Sequence, residues 1–338
     1  MIGRRTLVAA ATLAPTAVRA QRYYDRGRKM RTVRFAGSGG ATLEGTLLLP
    51  IKSELQYVPG VVLIAGSGPT DRDGNNPFVP ARIDLLKQLA ELLADVGIAS
   101  LRYDKRGIGA STHRAGSLEQ EERFFAWANF VSDVRAAHAE LLRHDEIKKY
   151  ATGFVGHSEG GLLALAAAAE MSGGQPHALV LLSTPGRPLR DIVHDQVARN
   201  GPAFVPEVDR ILAEIARTGR VPTGISPELQ PLFPIYGGPF FQGALPFDPA
   251  ATLARLDTAC LVLQGGGDTQ VVPPGDIQPL IDGLAGRGSA SGEVVVVPAV
   301  SHNLKTMATP VDAGFAGPVA PEIAAKLTGW LAQVLGAG

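Results

Sequence analysis

Two hydrophobic patterns alternate along the chain. Short, mostly apolar runs bounded by glycine, proline or polar residues predict β-strands, and the later runs are nearly continuous rather than alternating. A nearly continuous apolar run is typical of a strand that is covered on both faces. The predicted strands span residues 33–35, 43–49, 61–65, 98–103, 153–156, 178–183, 260–264 and 293–297.

Between these runs, apolar residues recur at helical spacing. Residues 81–96 carry leucines on one face and stop at Gly97. The helix predicted over residues 118–143 starts with Ser117 and Gln120 in capping-box spacing. Further helices are predicted at residues 159–171 and 321–335. Because strands alternate with helices, the pattern predicts an α/β fold with a mostly parallel central sheet flanked by helices.

One segment, residues 186–249, interrupts this alternation. It has no convincing strand, and two helical stretches at about 189–199 and 206–217 lead into a region rich in proline and aromatic residues. A segment of this length inside a compact domain is often functional. We expect it to be a cap inserted over the C-terminal edge of the sheet, with the core built from residues 30–185 and 250–338. The alternative is an irregular excursion that only covers the core.

Composition narrows the choice of partner. Apolar residues make up 45% of the 338 residues, enough for a sizeable core, and 32 Lys and Arg balance 32 Asp and Glu. Nucleic acids and acidic membranes favour basic surfaces, so neither is expected as a partner. Cys260 is the only cysteine and cannot form an internal disulfide, and its apolar surroundings, ACLVLQ, indicate a buried small side chain.

The N-terminus resembles an export signal. An arginine pair in RRTLV precedes an uncharged, mostly apolar stretch, residues 6–18, which is too short to span a bilayer. Val18 and Ala20 stand at the positions that a signal peptidase recognises, and the arginine pair resembles a twin-arginine signal. We expect residues 1–20 to be a signal peptide and the protein to be periplasmic or secreted, without a stable membrane span. The alternatives are an ordinary secretory signal and a cytoplasmic tail.

The stretch FVGHSEGG, residues 154–161, has the pattern of a catalytic serine. Ser158 stands between Gly156 and Gly160 where a predicted strand meets a predicted helix, which is the context of the nucleophile elbow G-x-S-x-G. The elbow holds its serine in a strained turn, and small flanking residues let strand and helix approach. We therefore interpret Ser158 as a nucleophile. The alternative is a plain glycine-rich turn.

A serine nucleophile needs a base, and the base needs an orienting carboxylate. His302 follows the last predicted strand in VVVVPAVSHNLK, and Asp268 follows the strand before it in CLVLQGGGDTQVVP. The carboxyl ends of parallel strands are where such sites form. We expect His302 to be the base and Asp268 the acid. Asp276 and Asp257 are the competing carboxylates, although Asp257 precedes its strand.

An anionic intermediate also needs backbone donors. We expect one to be the N–H of Glu159, the residue after the nucleophile. The second should come from the loop AGSGPTDRDGNNPF after strand 61–65, with Ser67 as first choice and Gly68 as second. This loop does not have the G-x-x-x-x-G-K-[ST] pattern of a phosphate-binding loop.

The three stretches AGSGPTDRDGN, LRYDKRGIGAS and GHSEGG resemble, in this order and spacing, the serine hydrolases of the α/β-hydrolase fold. They are most similar to a branch of bacterial carboxylesterases, and the resemblance covers the chain from about residue 30 onward. It implies the triad Ser158, Asp268 and His302, the oxyanion donors Ser67 and Glu159, and neither cofactor nor metal. Many members have histidine and glycine in the oxyanion loop, where this chain has Ala65-Gly66.

The carboxylate of Glu159 raises a separate question, because a bare negative charge beside a developing oxyanion opposes the reaction. We expect this side chain to point away and to be neutralised by a basic residue. Arg106 in YDKRGIG is the first candidate for that supporting role and Arg72 in TDRDGN the second. The alternative is a solvated glutamate favoured by the helix dipole.

The expected activity is hydrolysis of short- or medium-chain acyl esters, with a small-molecule ester as partner and the cap forming an apolar acyl pocket. A thioesterase, an acyltransferase or a peptidase would use the same acyl chemistry. The alternative from another functional class is a ligand-binding protein without catalytic activity. Fold alone does not set the substrate.

Overall fold

The computed structural model describes residues 24–25, 28–51, 57–79, 81–111, 113, 116–287, 291–309 and 312–337. The expected signal peptide, residues 1–20, lies outside the described residues.

The strands join into one sheet. In chain order they are β1 Tyr24–Asp25, β2 Arg28–Ala36, β3 Thr42–Leu49, β4 Val58–Ile64, β5 Ala99–Tyr103, β6 Ile147–His157, β7 Ala178–Leu182, β8 Ala259–Gly265 and β9 Gly292–Val297. Within the described part of the chain the sheet has nine strands in the order β1-β2-β3-β5-β4-β6-β7-β8-β9. The pairings from β1 to β5 are antiparallel, and those from β5 to β9 are parallel. The predicted mostly parallel sheet is confirmed, and each predicted strand overlaps an observed one.

Helices connect the parallel strands. They are α1 Leu85–Asp95, α2 Leu118–Phe124, α3 Trp127–Leu141, α4 Glu159–Ala169, α5 Leu189–Asn200, α6 Val205–Thr218, α7 Gly238–Ala244, α8 Pro249–Ala254, α9 Gln278–Ala285 and α10 Pro321–Leu335. Alternate residues of β4 pack on opposite faces of the sheet. Val62 and Ile64 join a core cluster with residues of α3 and α4, whereas Val61 and Leu63 join a cluster with residues of α1 and α10. Both faces of the central strands are therefore covered, which explains their nearly continuous apolar sequences.

Helix α1 begins four residues later than the pattern predicted. Asn75 Oδ1 accepts hydrogen bonds from the N–H groups of Ile83 at 2.9 Å and Asp84 at 3.0 Å. Asp84 itself has a left-handed backbone with φ of 47°. The side chain of Asn75 thus holds the residues before Leu85 in a loop, and that loop borders the site described below.

The predicted helix 118–143 is divided in two. Its start is confirmed, because the capping box between Ser117 and Gln120 is present. The break after Phe124 was not predicted. The carbonyl oxygen of Phe124 accepts from Arg106 Nη1 at 2.7 Å and from Asn129 Nδ2 at 3.3 Å. Side chains therefore satisfy a carbonyl that an uninterrupted helix would satisfy with its own amide.

The insertion between β7 and α8 is helical. Residues 186–249, all of them described, contain α5, α6 and α7 and no strand. A hydrophobic cluster of its own includes Val208, Ile211, Phe233 and Phe241. The ring of Phe240 contacts that of Trp127 at a centroid distance of 5.4 Å, which joins α7 to α3.

No helix among the described residues is both long and apolar enough to cross a membrane.

Candidate active site

Ser158 lies in a strained turn at the edge of the sheet. It is the residue between β6 and α4, with φ of 54° and ψ of −123°, a region that non-glycine residues rarely adopt. A side chain at Gly156 would overlap the backbone of Gly160, and one at Gly160 would overlap the carbonyl oxygen of Ile64. The predicted nucleophile-elbow geometry is therefore present, and the flanking glycines are required by close backbone packing.

Strand β8 and the loop after β9 bring an acid and a histidine together. His302 Nδ1 donates to Asp268 Oδ2 at 2.8 Å, and both side chains are buried. Gln264 Nε2 also donates to Oδ2, at 3.0 Å. The N–H groups of Gln270 and Val271 donate to Oδ1 at 2.8 and 2.9 Å. Asp268 is thus fixed on both oxygens, and Nε2 of His302 is the nitrogen left for another group.

The environment of Asp268 favours its ionised form. Burial opposes ionisation, but the charge and hydrogen bond of His302 and the N–H groups of Val271 and Gln270 outweigh it. The pKa of Asp268 is therefore held below its ordinary value. An ionised carboxylate can stabilise the imidazolium that forms when His302 accepts a proton.

The competing carboxylates have other roles. Asp276 accepts from Arg187 Nε at 2.8 Å and from the N–H of Val272 at 2.7 Å, so it closes a loop. Asp257 is exposed and precedes β8, at the opposite end of that strand from Asp268. Only Asp268 of the three is hydrogen-bonded to His302 among the described residues.

His157 supports the loop of His302. Its Nε2 donates to the carbonyl oxygen of His302 at 2.9 Å, and the two imidazole rings are 4.9 Å apart. Burial, followed by the proximity of His302, lowers the pKa of His157 to about 3. The ring is therefore neutral and acts as a donor rather than as a base.

Ser158 and His302 line the same cavity, which has a volume of about 150 Å³. The other lining residues come from the loop after β4, the start of α1, the end of β6 and the loops that follow β8 and β9: Ala65, Gly66, Ser67, Thr70, Gly74, Asn76, Val79, Ile83, Leu85, Leu86, His157, Gln270, Asn303 and Phe315. None of the described lining residues belongs to segment 186–249. The expectation that the insertion forms the acyl pocket is therefore wrong for this cavity. The insertion has a separate cavity of about 510 Å³, bordered by residues 221–225 and 230–236.

The two expected oxyanion donors are free to donate. Within the described residues, neither the N–H of Ser67 nor that of Glu159 makes a hydrogen bond. Ser67 lines the cavity, and Glu159 follows Ser158 directly. Gly68, the second choice, has a left-handed backbone with φ of 68°, and its carbonyl accepts from Thr70 N–H at 2.8 Å.

Arg106 does not contact Glu159, and this prediction is wrong. Its Nε and Nη2 donate to the two carboxylate oxygens of Asp133 at 2.8 and 2.7 Å, and its guanidinium lies 4.8 Å from the centre of the Phe124 ring. The side chain is fully buried. A buried guanidinium needs a carboxylate that matches its fork, and Asp133 on α3 supplies that match. Arg106 therefore supports α3 and the end of α2, not the elbow.

Arg72, the second candidate, is also paired elsewhere. Its Nη2 donates to Asp104 Oδ2 at 2.7 Å and to Glu44 Oε1 at 2.9 Å. The cation near Glu159 is Lys105, whose Nζ lies 3.4 Å from Glu159 Oε1 and donates to the carbonyl oxygen of Gly66 at 2.5 Å. A basic side chain does lie next to Glu159, as expected, but it is Lys105 and neither of the two candidate arginines.

The stretches TDRDGN and RYDKRG hold each other in place. Arg72 pairs with Asp104, and Arg102 Nε donates to Asp73 Oδ1 at 2.8 Å. Lys105 adds its contact with the Gly66 carbonyl. The loop after β4 is therefore joined at three points to the end of β5 and the residues that follow it, so the two motifs support each other's conformation.

Lys105 is the site residue that sequence reasoning missed. It stands inside a stretch that was singled out, RYDKRG, so proximity to the motif was the available signal. Among the described residues there is no group of three or more His, Cys, Asp or Glu side chains that could hold a metal ion.

The chain belongs to the alpha/beta hydrolase family, whose pattern matches residues 61–313, well over half of the chain. It is similar to esterase EstD of Thermotoga maritima, with 26% identity over an alignment of 284 residues that covers 81% of this chain and 62% of that protein. The chain thus spans less than two thirds of this relative.

Two solved structures share the fold. Est1E of Butyrivibrio proteoclasticus, solved with bound ferulic acid, has a TM-score of 0.57 at 18% identity, covering 90% of this chain and 99% of that one. A dienelactone hydrolase from Anabaena variabilis has a TM-score of 0.51 at 17% identity, covering 91% and 99%.

Proposed function

We propose that this protein is a serine hydrolase of carboxylic esters. The observation that carries the proposal is that Ser158, in an elbow with φ of 54°, lines one cavity with His302, whose Nδ1 is bound to Asp268. The similarity to esterase EstD supports an ester as substrate. The fold without this arrangement would not specify a reaction.

The proposed reaction has two acyl-transfer steps. Ser158 Oγ attacks the acyl carbonyl while His302 Nε2 takes the hydroxyl proton, and Asp268 stabilises the resulting imidazolium. The tetrahedral oxyanion is bound by the N–H groups of Ser67 and Glu159. Its collapse breaks the ester C–O bond, and His302 returns the proton to the leaving alcohol. Water, deprotonated by His302, then attacks the acyl-enzyme, which releases the acid and restores Ser158.

The cavity favours a short acyl group. Its volume of about 150 Å³ is comparable to a cavity that accommodates one benzene molecule. Val79, Ile83, Leu86 and Phe315 supply apolar surface to it, and Asn303 supplies an amide that makes no hydrogen bond within the described residues. We propose short-chain esters as the best substrates, with longer alcohols extending into solvent.

Two measurements test the proposal. Fluorophosphonate labelling followed by peptide mapping should modify Ser158, and Ser158→Ala should remove both labelling and hydrolysis while circular dichroism stays unchanged. A wild-type protein that neither labels nor hydrolyses p-nitrophenyl esters would favour the ligand-binding alternative. A parallel panel of thioester, amide and ester substrates with equal acyl groups separates an esterase from a thioesterase or a peptidase.

We also propose that the protein is exported and that its mature form begins near Gln21. The arginine pair, the short apolar stretch and the Val18-x-Ala20 site support this. N-terminal sequencing of the protein from its native host tests it, and an intact Met1 in the cytoplasmic fraction would overturn it.

A further inference from the structure

We infer that Lys105 is a positioning residue that orients both amides of the oxyanion hole. The inference rests on the proposed function, because it concerns where the anionic intermediate is bound. It answers why an acidic residue can follow the nucleophile directly.

Lys105 lies where the two donor segments meet. It follows β5, and only 4% of the residue is exposed. Its Nζ donates to the carbonyl oxygen of Gly66 at 2.5 Å, and it lies 3.4 Å from Oε1 of Glu159. One ammonium group therefore contacts the residue before Ser67 and the side chain of Glu159, whose backbone is the other expected donor.

The contact with Gly66 determines the direction of the Ser67 amide. The carbonyl of Gly66 and the N–H of Ser67 belong to one peptide plane, and in a trans peptide they point in opposite directions. When the carbonyl is held against Lys105, the N–H must face away from Lys105. This leaves the N–H of Ser67 free at the cavity that also contains Ser158.

The contact with Glu159 removes an unfavourable charge. An uncompensated carboxylate next to the nucleophile would oppose the negative charge that develops on the substrate oxygen. Lys105 draws this carboxylate towards the loop after β5 and offsets its charge. The N–H of Glu159 can then act as a donor while its side chain acts as an anchor.

A lysine suits this position better than an arginine. Its ammonium is a compact charge on a flexible stem, and its three N–H groups can reach acceptors on separate segments. The two neighbouring arginines are engaged elsewhere, since Arg72 binds Asp104 and Arg106 binds Asp133. Lys105 is therefore the one cation among the described residues that contacts Glu159.

The test compares Lys105→Met with wild type on a short-chain p-nitrophenyl ester. We expect kcat to fall by about 10² to 10³, as for loss of an oxyanion donor, with KM changed less than threefold. Binding of a trifluoromethyl ketone, which forms the tetrahedral adduct, should weaken by the same factor as kcat/KM. Binding of a non-reactive ether analogue of the substrate should not change.

Matched variants separate positioning from stability. Lys305→Met removes another fully buried lysine, which donates to Gln88 Oε1 at 2.8 Å and to the carbonyl of Gly317 at 2.9 Å. Both acceptors keep a second donor, because Val319 N–H bonds to Gln88 Oε1 and Gln88 Nε2 bonds to Gly317. We expect this control to retain kcat. Lys105→Arg keeps the positive charge and should have a kcat between those of Lys105→Met and wild type. If Lys105→Met does not fold, Lys105→Arg takes its place in the comparison with wild type.

Two results would overturn the inference alone. One is a Lys105→Met enzyme with kcat within threefold of wild type. The other is equal weakening of the trifluoromethyl ketone and the ether analogue, which would indicate a general structural role. If wild-type Ser158 is not labelled by fluorophosphonate, the proposed function fails first, and the inference fails with it.

Discussion

His157 Nε2 donates a hydrogen bond to the carbonyl oxygen of His302 at 2.9 Å, so the residue before the proposed nucleophile holds the backbone of the proposed base. The loop of His302 contains two residues with left-handed φ, Ala299 at 52° and Leu304 at 58°. Such a loop needs fixed contacts to keep one conformation. The link from His157 is one of them, and it joins two members of the site that are 145 residues apart in sequence.

Replacing His157 should therefore impair catalysis by disturbing the position of His302. We expect His157→Phe, which keeps a ring but loses the donor, to lower kcat/KM by about tenfold to a hundredfold, because small displacements of a base are costly. His157→Gln can still donate and should retain more activity. Kinetics at pH 7.5 and fluorophosphonate labelling rates measure this, and a fully active His157→Phe would show that the bond is dispensable.

Replacing Asp268 and replacing Asp276 should have opposite effects on kcat and stability, although both are buried carboxylates. Asp268→Asn should reduce kcat by about three to four orders of magnitude, because the amide no longer enforces the imidazole tautomer. Asp276→Asn weakens the contact with Arg187 and should lower stability while leaving kcat near wild type. Thermal unfolding and kcat measured on both variants decide the matter. A reversed pattern would identify Asp276 as the acid.

The sequence was sufficient to predict the strands β2 to β9 and the contact between Asp268 and His302, but not β1 or the strand order. Each lies in a short loop after an apolar strand, and parallel strands place their carboxyl ends together. A contact between residues far apart in the sequence can therefore be inferred from the pattern of strands, because neighbouring parallel strands bring the loops at their carboxyl ends together. The separation of 34 residues between the two side chains posed no difficulty for this reason.

The choice of Lys105 over Arg106 and Arg72 was not predictable in the same way. The three cations lie in two loops whose conformations depend on each other. Asp104 accepts from Arg72 and from the N–H of Ala110 at 2.8 Å, and this sets which way the following residues turn. The break between α2 and α3 has a similar origin, because Arg106 binds the Phe124 carbonyl. In both cases a tertiary hydrogen bond determined the local structure, and no glycine or proline marks the break between α2 and α3 in the sequence.

Arg106 and Asp133 should prove important for stability rather than for turnover. Removing one partner leaves the other charge buried, which costs about 3 to 5 kcal/mol. We expect Asp133→Asn to lower the free energy of unfolding by an amount of that order and to leave kcat of the folded fraction within threefold. Denaturant titration measures the first effect and active-site-titrated kinetics the second. A double-mutant cycle should show coupling between Arg106 and Asp133, whereas Arg106 and Glu159 should be additive.

The acyl-chain preference should respond to Leu86 and not to the insertion. Leu86 is buried at the start of α1 and lines the cavity of Ser158. Leu86→Val should shift the best p-nitrophenyl ester to a longer chain by about one or two carbons, and Leu86→Phe should shift it to a shorter one. Tyr236→Ala, in the separate cavity of the insertion, should leave the profile unchanged. A shift with Tyr236→Ala alone would place the acyl group against the insertion.

His138 should make the fold sensitive to acid in a defined range. It is 2% exposed on α3, and its Nε2 lies 2.9 Å from Thr152 Oγ1. Burial, with a smaller effect of His177, lowers its pKa to about 4. An unfolded chain would bind this proton near pH 6.5, so between pH 6.5 and 4 the unfolded state holds more protons than the folded state. Stability therefore falls as the pH falls through this range.

The His138→Gln variant isolates that contribution. Glutamine can keep a hydrogen bond to Thr152 but does not titrate. We expect the stability of wild type relative to the variant to decrease from pH 7 to pH 4.5 by up to about 3 kcal/mol, since one pKa unit corresponds to about 1.4 kcal/mol. Urea unfolding at several pH values measures the difference, and His157, which is also buried and neutral, contributes equally to both proteins. Parallel pH curves for wild type and His138→Gln would mean that His138 becomes protonated in the folded protein as readily as in the unfolded chain.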